Sequence, residues 1–304
     1  MGIPTGPEHT VLADAGAPLT WNLVRDFNQL FEFHFMVNAF RAGTAVAVAA
    51  AAVGWFMVLR RQTFAGHTLG IVAFPGASAA IWLGLSAPVG FFGFCIAAAI
   101  VIAAIPRTAG GGSSSHEAAL IGTVQAFALA LGFLFVSLYG GFLNGLTSVL
   151  FGSVLGITDT QVVALAVVAV GVIAVLAVMR RPLLFSSVDP DVASARGVPA
   201  RVLSTIFLVV LGAAVAEASQ ITGALLVFAL LVVPAASAQA LTARPGLSFL
   251  LATGFGIAIM WAGLACAYYS PYPVGFWTTS IAFGTYVIAR ACAAPAQRFA
   301  RVHA

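Results

Sequence analysis

No lysine occurs anywhere in the 304 residues; all 13 basic residues are arginine. A conventional nucleotide-binding P-loop needs lysine to reach the β- and γ-phosphates, so this chain cannot carry one. A Schiff-base lysine is excluded on the same ground. Charge of any kind is scarce, at 7% of residues against roughly 25% in ordinary soluble domains. The three cysteines, Cys95, Cys266 and Cys292, lie far apart in apolar segments without a CxxC, and read as small buried hydrophobes. There is no HExxH, no GxSxG and no pair of aspartates inside an apolar segment. No chain of Asp, Glu and His runs along the apolar segments, which argues against a proton pump or a proton-coupled carrier.

Apolar surface fills the space left by charge. Hydrophobic residues make up 61% of the chain and the mean hydropathy is +1.05. That composition demands an integral membrane protein, and its continuous apolar runs exclude an alternating β-barrel. The expected architecture is an all-α polytopic bundle of about nine transmembrane helices. Spans are read near 38–59, 67–85, 89–105, 119–138, 161–179, 201–217, 221–241, 247–267 and 274–289. The stretch 142–157, broken by glycines, reads as a re-entrant or interfacial segment instead of a tenth span.

Residues 1–36 read as a tail followed by an amphipathic interfacial segment, 37–290 as the membrane domain and 291–304 as a cytoplasmic tail. The start of the chain lacks the basic region of a signal peptide and is not expected to be cleaved as one. Arginine sets the orientation. With Arg60 and Arg61 cytoplasmic, alternation puts eleven arginines on that side and only Arg25 and Arg41 on the other, so the N-terminus is expected outside and the C-terminus inside. The pI of about 9.3 therefore reflects the positive-inside pattern and not nucleic-acid binding. Tyr268, Tyr269, Tyr272 and Trp277 would form an outer aromatic belt.

Few residues inside the spans can carry chemistry. His67 opens the second span, where it can touch a transported ion or serve packing and loop capping. Glu217 lies at the outer end of the sixth, where interfacial solvation competes with ion contact. Pro75, followed by Gly76, and Pro234 each interrupt a span and free a backbone carbonyl, so both are expected to face the protein interior, as architectural kinks or along a pathway. Two polar breaks stand out: a flexible linker at 106–118 containing GGGSSSHE, and the longer cytoplasmic stretch 180–200. Within the latter, Asp189 can N-cap a short helix beginning at Pro190, and Gly197 can end it. Such a helix, displayed on the cytoplasmic face, suits a cytosolic partner; an ordinary solvated loop is the alternative.

Four stretches in order resemble the permease subunits of ATP-binding-cassette importers for zinc, manganese and chelated iron. They are VLRRQTFAGHTLGIVAFPG (58–76), VLFGSVLGIT (149–158), VDPDVASARGV (188–198) and GALLVFALLVVPAASAQAL (223–241). The third is similar to the family's ATPase-coupling loop, which implies that Asp189, Pro190, Ala193 and Gly197 meet a cytosolic ATPase. Where the family has Asp and, four residues on, His, a pair sharing one helix face, this chain has His67 and Ile71. A neutral imidazole suits zinc better than an oxygen-rich manganese site.

The resemblance implies a transport subunit that is not an enzyme, in a bacterial-type plasma membrane. It implies two copies of the chain around a central path, ATP bound by separate cytosolic ATPase subunits, an extracytoplasmic metal-binding protein, surrounding membrane lipid and no nucleic acid. The cargo would be a divalent metal ion, zinc foremost and manganese or iron next, with no cofactor held by the chain. The rivals are a self-contained secondary carrier or channel, which should show coupling-ion residues at mid-membrane, and a siderophore or corrinoid importer, which shares the general architecture but not these motifs.

Overall fold

The computed structural model describes residues 30–105, 114–139, 149–152, 157–224 and 226–302. Within them the ordered elements are α1 (His34–Leu59), α2 (Thr63–Trp82), α3 (Ala87–Ala104), α4 (Ser114–Leu138), α5 (Asp159–Val188), α6 (Pro190–Ala195), α7 (Ala200–Thr222), α8 (Val227–Leu241), α9 (Pro245–Tyr268) and α10 (Val274–Val302). Seven of these (α1 to α5, α7 and α9) are long and apolar enough to cross a membrane, and α8 is apolar but shorter. The all-helical membrane bundle expected from composition is therefore present.

The chain runs up and down between two ends. At one end a cavity of about 350 Å³ brings together Arg60, Gln62, Ile105, Ser186, Ala200 and Arg201, from the tips of α1, α2, α3, α5 and α7. At the other end Asn38 of α1 donates to the Ile157 carbonyl ahead of α5 (3.2 Å), and Phe33 meets Tyr268. There Tyr268 meets Tyr269, and Tyr272, Phe276 and Trp277 contact one another.

Lipid offers no hydrophobic drive for one helix to bury against another, so membrane helices associate through small residues that let backbones approach. At Gly54 of α1 an added Cβ would overlap the Leu231 carbonyl of α8, and Gly76 and Gly90 set α2 against α3 so closely that a Cβ on either would strike the other's carbonyl. Gly152 and Gly223, both with φ near +80°, lie backbone to backbone, and Ala224 N–H donates to the Val149 carbonyl at 3.1 Å. This last knot ties the second and fourth of the motif stretches to each other.

Several boundaries differ from those read in the sequence. Helix α5 does not stop near 179 but continues through Arg180, Arg181 and Pro182 to Val188. Pro182 takes away only the hydrogen bond to the Val178 carbonyl, and Leu183 beyond it is completely buried, which holds the extra turns to the bundle. The expected linker at 106–118 is shortened, because Ser114 to Ala118 belong to α4. The expected tail at 291–304 is helical as far as Val302, as a continuation of α10. Of the stretch 142–157, only 149–152 and 157 are described; the rest, like the tail before residue 30, lies outside the described residues.

Packing by glycine leads to a paired expectation. Gly54→Ala should destabilise the bundle by about 1–3 kcal/mol through overpacking. Gly171→Ala, at a site on α5 with nothing within 4 Å of the new methyl, should be neutral or slightly stabilising. Thermal unfolding of the purified protein in lipid discs measures both, and equal midpoints for the two variants would refute the packing account.

Candidate functional site

The displayed helix predicted in the 180–200 stretch exists. Pro190 occupies the first turn of α6 and Asp189 Oδ1 accepts from Val192 N–H at 3.0 Å. At the far end Gly197 adopts φ +78°, with Gly197 N–H donating to the Ser194 carbonyl and Val198 N–H to the Ala193 carbonyl, both at 3.0 Å. These two bonds make a Schellman ending, which explains why a residue without Cβ stands at 197. Six residues are too few to form a helix alone in water, so caps and backing do the work.

Ala193 does not face outward, as a docking residue would. It is completely buried, on the side of α6 that packs against α5 and α7. Its methyl is enclosed between the short helix and the bundle. The exposed face is instead Asp191, Val192, Ser194, Ala195 and Arg196, with Val188 projecting just before it. Behind α6, Arg60 Nη1 donates to Ser186 Oγ and Gln62 Nε2 to Ser204 Oγ, both at 3.3 Å, while the Arg60 guanidinium also lies 5.3 Å over the Phe207 ring. Sequence reading missed these ties, because nothing local to 60–62 points to Ser186 or Ser204.

The ion-path candidates do not converge. His67 stands one turn into α2, half-buried, its ring edge-on to Phe228 of α8 at 5.0 Å. Ile71, one turn on, is likewise half-buried, so the face where the family carries its Asp and His is partly open. Glu217 lies toward the opposite end of α7. The two residues differ by about 20 Å of helical rise, so no single ion touches both. Among the described residues, no three or more His, Cys, Asp or Glu side chains group closely enough to hold a metal.

Glu217 departs from the expectation of interfacial solvation. It is completely buried and neither carboxylate oxygen has a partner. The hydroxyls beside it are engaged with their own helix, Ser219 with the Val215 carbonyl at 2.7 Å and Thr222 with the Ala218 carbonyl at 3.0 Å. Being enclosed within one chain, it does not open onto a surface where a second copy could share an ion. Pro75 and Pro234 are both buried, on the interior side as expected, and Gly76 next to Pro75 is one of the close-approach glycines.

A second polar group went unnoticed in the sequence. Asp159 at the start of α5 receives His34 Nε2 at 3.1 Å and Asn38 Nδ2 at 3.0 Å. Thr158 and Gln161 form a reciprocal capping box at the same helix start, and the T-x-x-Q pattern could have announced it.

Tight glycine contacts, a polytopic apolar bundle and one capped helix displayed at the arginine-rich end define a polytopic helical membrane protein. Residues 32–293 match the ABC 3 transport family, and the chain belongs to it. It is similar to the manganese transport system membrane protein MntC of Halalkalibacterium halodurans, 29% identical over 80% of this chain and 82% of that protein. It is also similar to the chelated iron transport system membrane protein YfeC of Yersinia pestis, 28% identical over 81% of this chain and 80% of that one. The solved structure of PsaBC from Streptococcus pneumoniae in complex with Fab superposes with a TM-score of 0.77, at 27% identity, over 88% of this chain and 95% of that chain. The resemblance read from the four motifs is thereby borne out. The chain is a multi-pass protein of a bacterial plasma membrane and a transport subunit, not an enzyme.

The geometry of α6 sets its own test. Asp189→Ala removes an N-cap worth about 0.5–2 kcal/mol, and Gly197→Ala forces a Cβ into a left-handed conformation at about 1 kcal/mol or more. Either variant should raise amide hydrogen exchange over 189–198 while α7 and α8 keep wild-type protection. Unchanged exchange in both would show that the caps do not hold the helix.

Proposed function

We propose that this chain is the transmembrane subunit of an ATP-driven importer of a divalent transition metal ion, acting as two copies around a shared path. The observation that carries this reading is α6: a short helix, capped at both ends, backed by a buried alanine and offering an exposed face with Val188 and Val192. Separate cytosolic ATPase subunits bind that face, and an extracytoplasmic binding protein delivers the ion at the aromatic end. The arginine-rich end is cytoplasmic, which puts the N-terminus outside and the C-terminus inside, following the positive-inside rule. Alternating access then follows from rocking of the halves, driven through α6.

The cargo is read from His67. A neutral imidazole on the half-open face of α2 favours zinc, while relatives named for manganese and chelated iron keep those metals as competitors. Glu217 is assigned no direct contact with the ion. Metal content of cells lacking the gene, measured for zinc, manganese and iron together, identifies the cargo: loss of zinc alone supports the imidazole reading, and loss of manganese or iron alone overturns it.

Coupling is tested on the exposed face. Val192→Glu and Ala195→Glu should abolish ATP-dependent uptake and co-purification of the ATPase while the protein still inserts and pairs. Wild-type uptake with wild-type co-purification would reduce α6 to a solvated connector. At the path, His67→Ala should slow uptake several-fold at limiting metal with assembly intact, and Ile71→His should change metal preference. Unchanged kinetics in both variants would leave His67 as a packing group against Phe228.

A further inference from the structure

A cavity of about 470 Å³ opens between α1, α5 and α9, away from α6 and from the His67 face. Its walls are Ala52, Trp55, Phe56, Leu176, Leu184 and Phe249, an almost wholly apolar surface. Trp55 is locked in place, because its indole N–H donates to Ser248 Oγ at 3.0 Å and its own carbonyl accepts from Gln239 at 3.0 Å. The wall is therefore a formed surface and not a loose seam. At its rim stand Arg180 and Arg181, both exposed, beside Pro245 and Gly246 at the start of α9.

The charge at this rim is uncompensated. No acidic residue lines the cavity, and the one ion pair among the described residues, His34 with Asp159, lies at the opposite end. Ile173, at the deep end, is eight residues above Arg181 on α5, so the apolar slot runs about 12 Å inward from the arginines. The arginines share the cavity mouth with Phe56, near the end of α1, and with Pro245 and Gly246 in the first turn of α9.

Two neighbouring guanidinium groups over a 12 Å apolar slot match one ligand shape, a phosphate joined to a hydrocarbon chain. The geometry points to a binding site for an anionic glycerophospholipid, its phosphate held by Arg180 and Arg181 and one acyl chain lying against Trp55, Leu176 and Phe249. A second copy of the chain fits the groove less well. In a two-fold contact both copies use the same patch, so one interface would hold four arginines with no acid lining the patch to receive them.

Lipid discs containing equal phosphatidylglycerol and phosphatidylcholine, loaded with the permease and its ATPase, test the site by native mass spectrometry of the released complex. The wild type should retain phosphatidylglycerol over phosphatidylcholine about tenfold or more, the scale set by two basic groups at a membrane surface. R180Q/R181Q should bring that preference to parity. Gly246→Leu should exclude the lipid with both arginines intact, since the position has open space for a side chain. Equal retention by all three proteins would overturn the assignment. So would separation of the two copies in either variant, which would make the groove an interface between copies. The readout requires no transport, so its outcome is independent of which metal the permease carries.

Discussion

Close approach of helix backbones in a medium that supplies no hydrophobic drive is the constraint on which this structure depends. Gly54 against Leu231, Gly76 against Gly90 and Gly152 against Gly223 each bring main chain to main chain where any Cβ would intrude. These contacts join α1 to α8, α2 to α3, and the segment 149–152 to the end of α7, while Gly212 against the Cys95 carbonyl sets α7 on α3. The consequence is graded burial: most of the apolar windows of α1, α2 and α7 are enclosed, whereas α4 and α5 turn most of theirs outward. Outward-facing spans can read as uniformly apolar helices, since lipid asks nothing more specific of them. Inner spans read as alanine- and glycine-rich, and they carry the polar residues.

That division explains what sequence could disclose. The places of the long helices follow from hydropathy and helix rise, and α6 followed from capping chemistry that is local by nature: Asp189 before Pro190, Gly197 after the last turn. The end of α5 was not legible. An Arg-Arg-Pro run signals a helix end in sequence, and only burial of Leu183 against the bundle reverses that signal. The side of α6 on which Ala193 lies was not legible either. The resemblance implied ATPase contact for it, and burial against α5 and α7 instead turns its methyl toward the bundle.

The candidate site was legible in parts and not as a whole. His67 stood out by type, and its nearness to Phe228 depends on α8 meeting α2, a contact between segments about 160 residues apart that no local pattern encodes. Glu217 was placed at a wet interface from its position near the end of a span. The helices around α7 enclose it instead, leaving both oxygens without partners. Position along a span gives depth in the bilayer, but only the packing of neighbours decides whether a side chain at that depth meets lipid, water or protein.

The polar ties behind α6 bear on how force applied there would travel. A push on the short helix is received by α5 and α7, against which Ala193 is seated. Ser186 on α5 and Ser204 on α7 hold Arg60 and Gln62, which flank the tight turn from α1 into α2. Arg61 in that turn adopts φ +56°, a conformation that costs a non-glycine residue energy, so the turn is defined by its surroundings and is not slack. His67 follows five residues after Gln62, which is the N-cap of the helix that carries it. The displayed helix and the histidine are thus linked through packed and hydrogen-bonded elements, Ser186 and Ser204 on one side and Arg60 and Gln62 on the other.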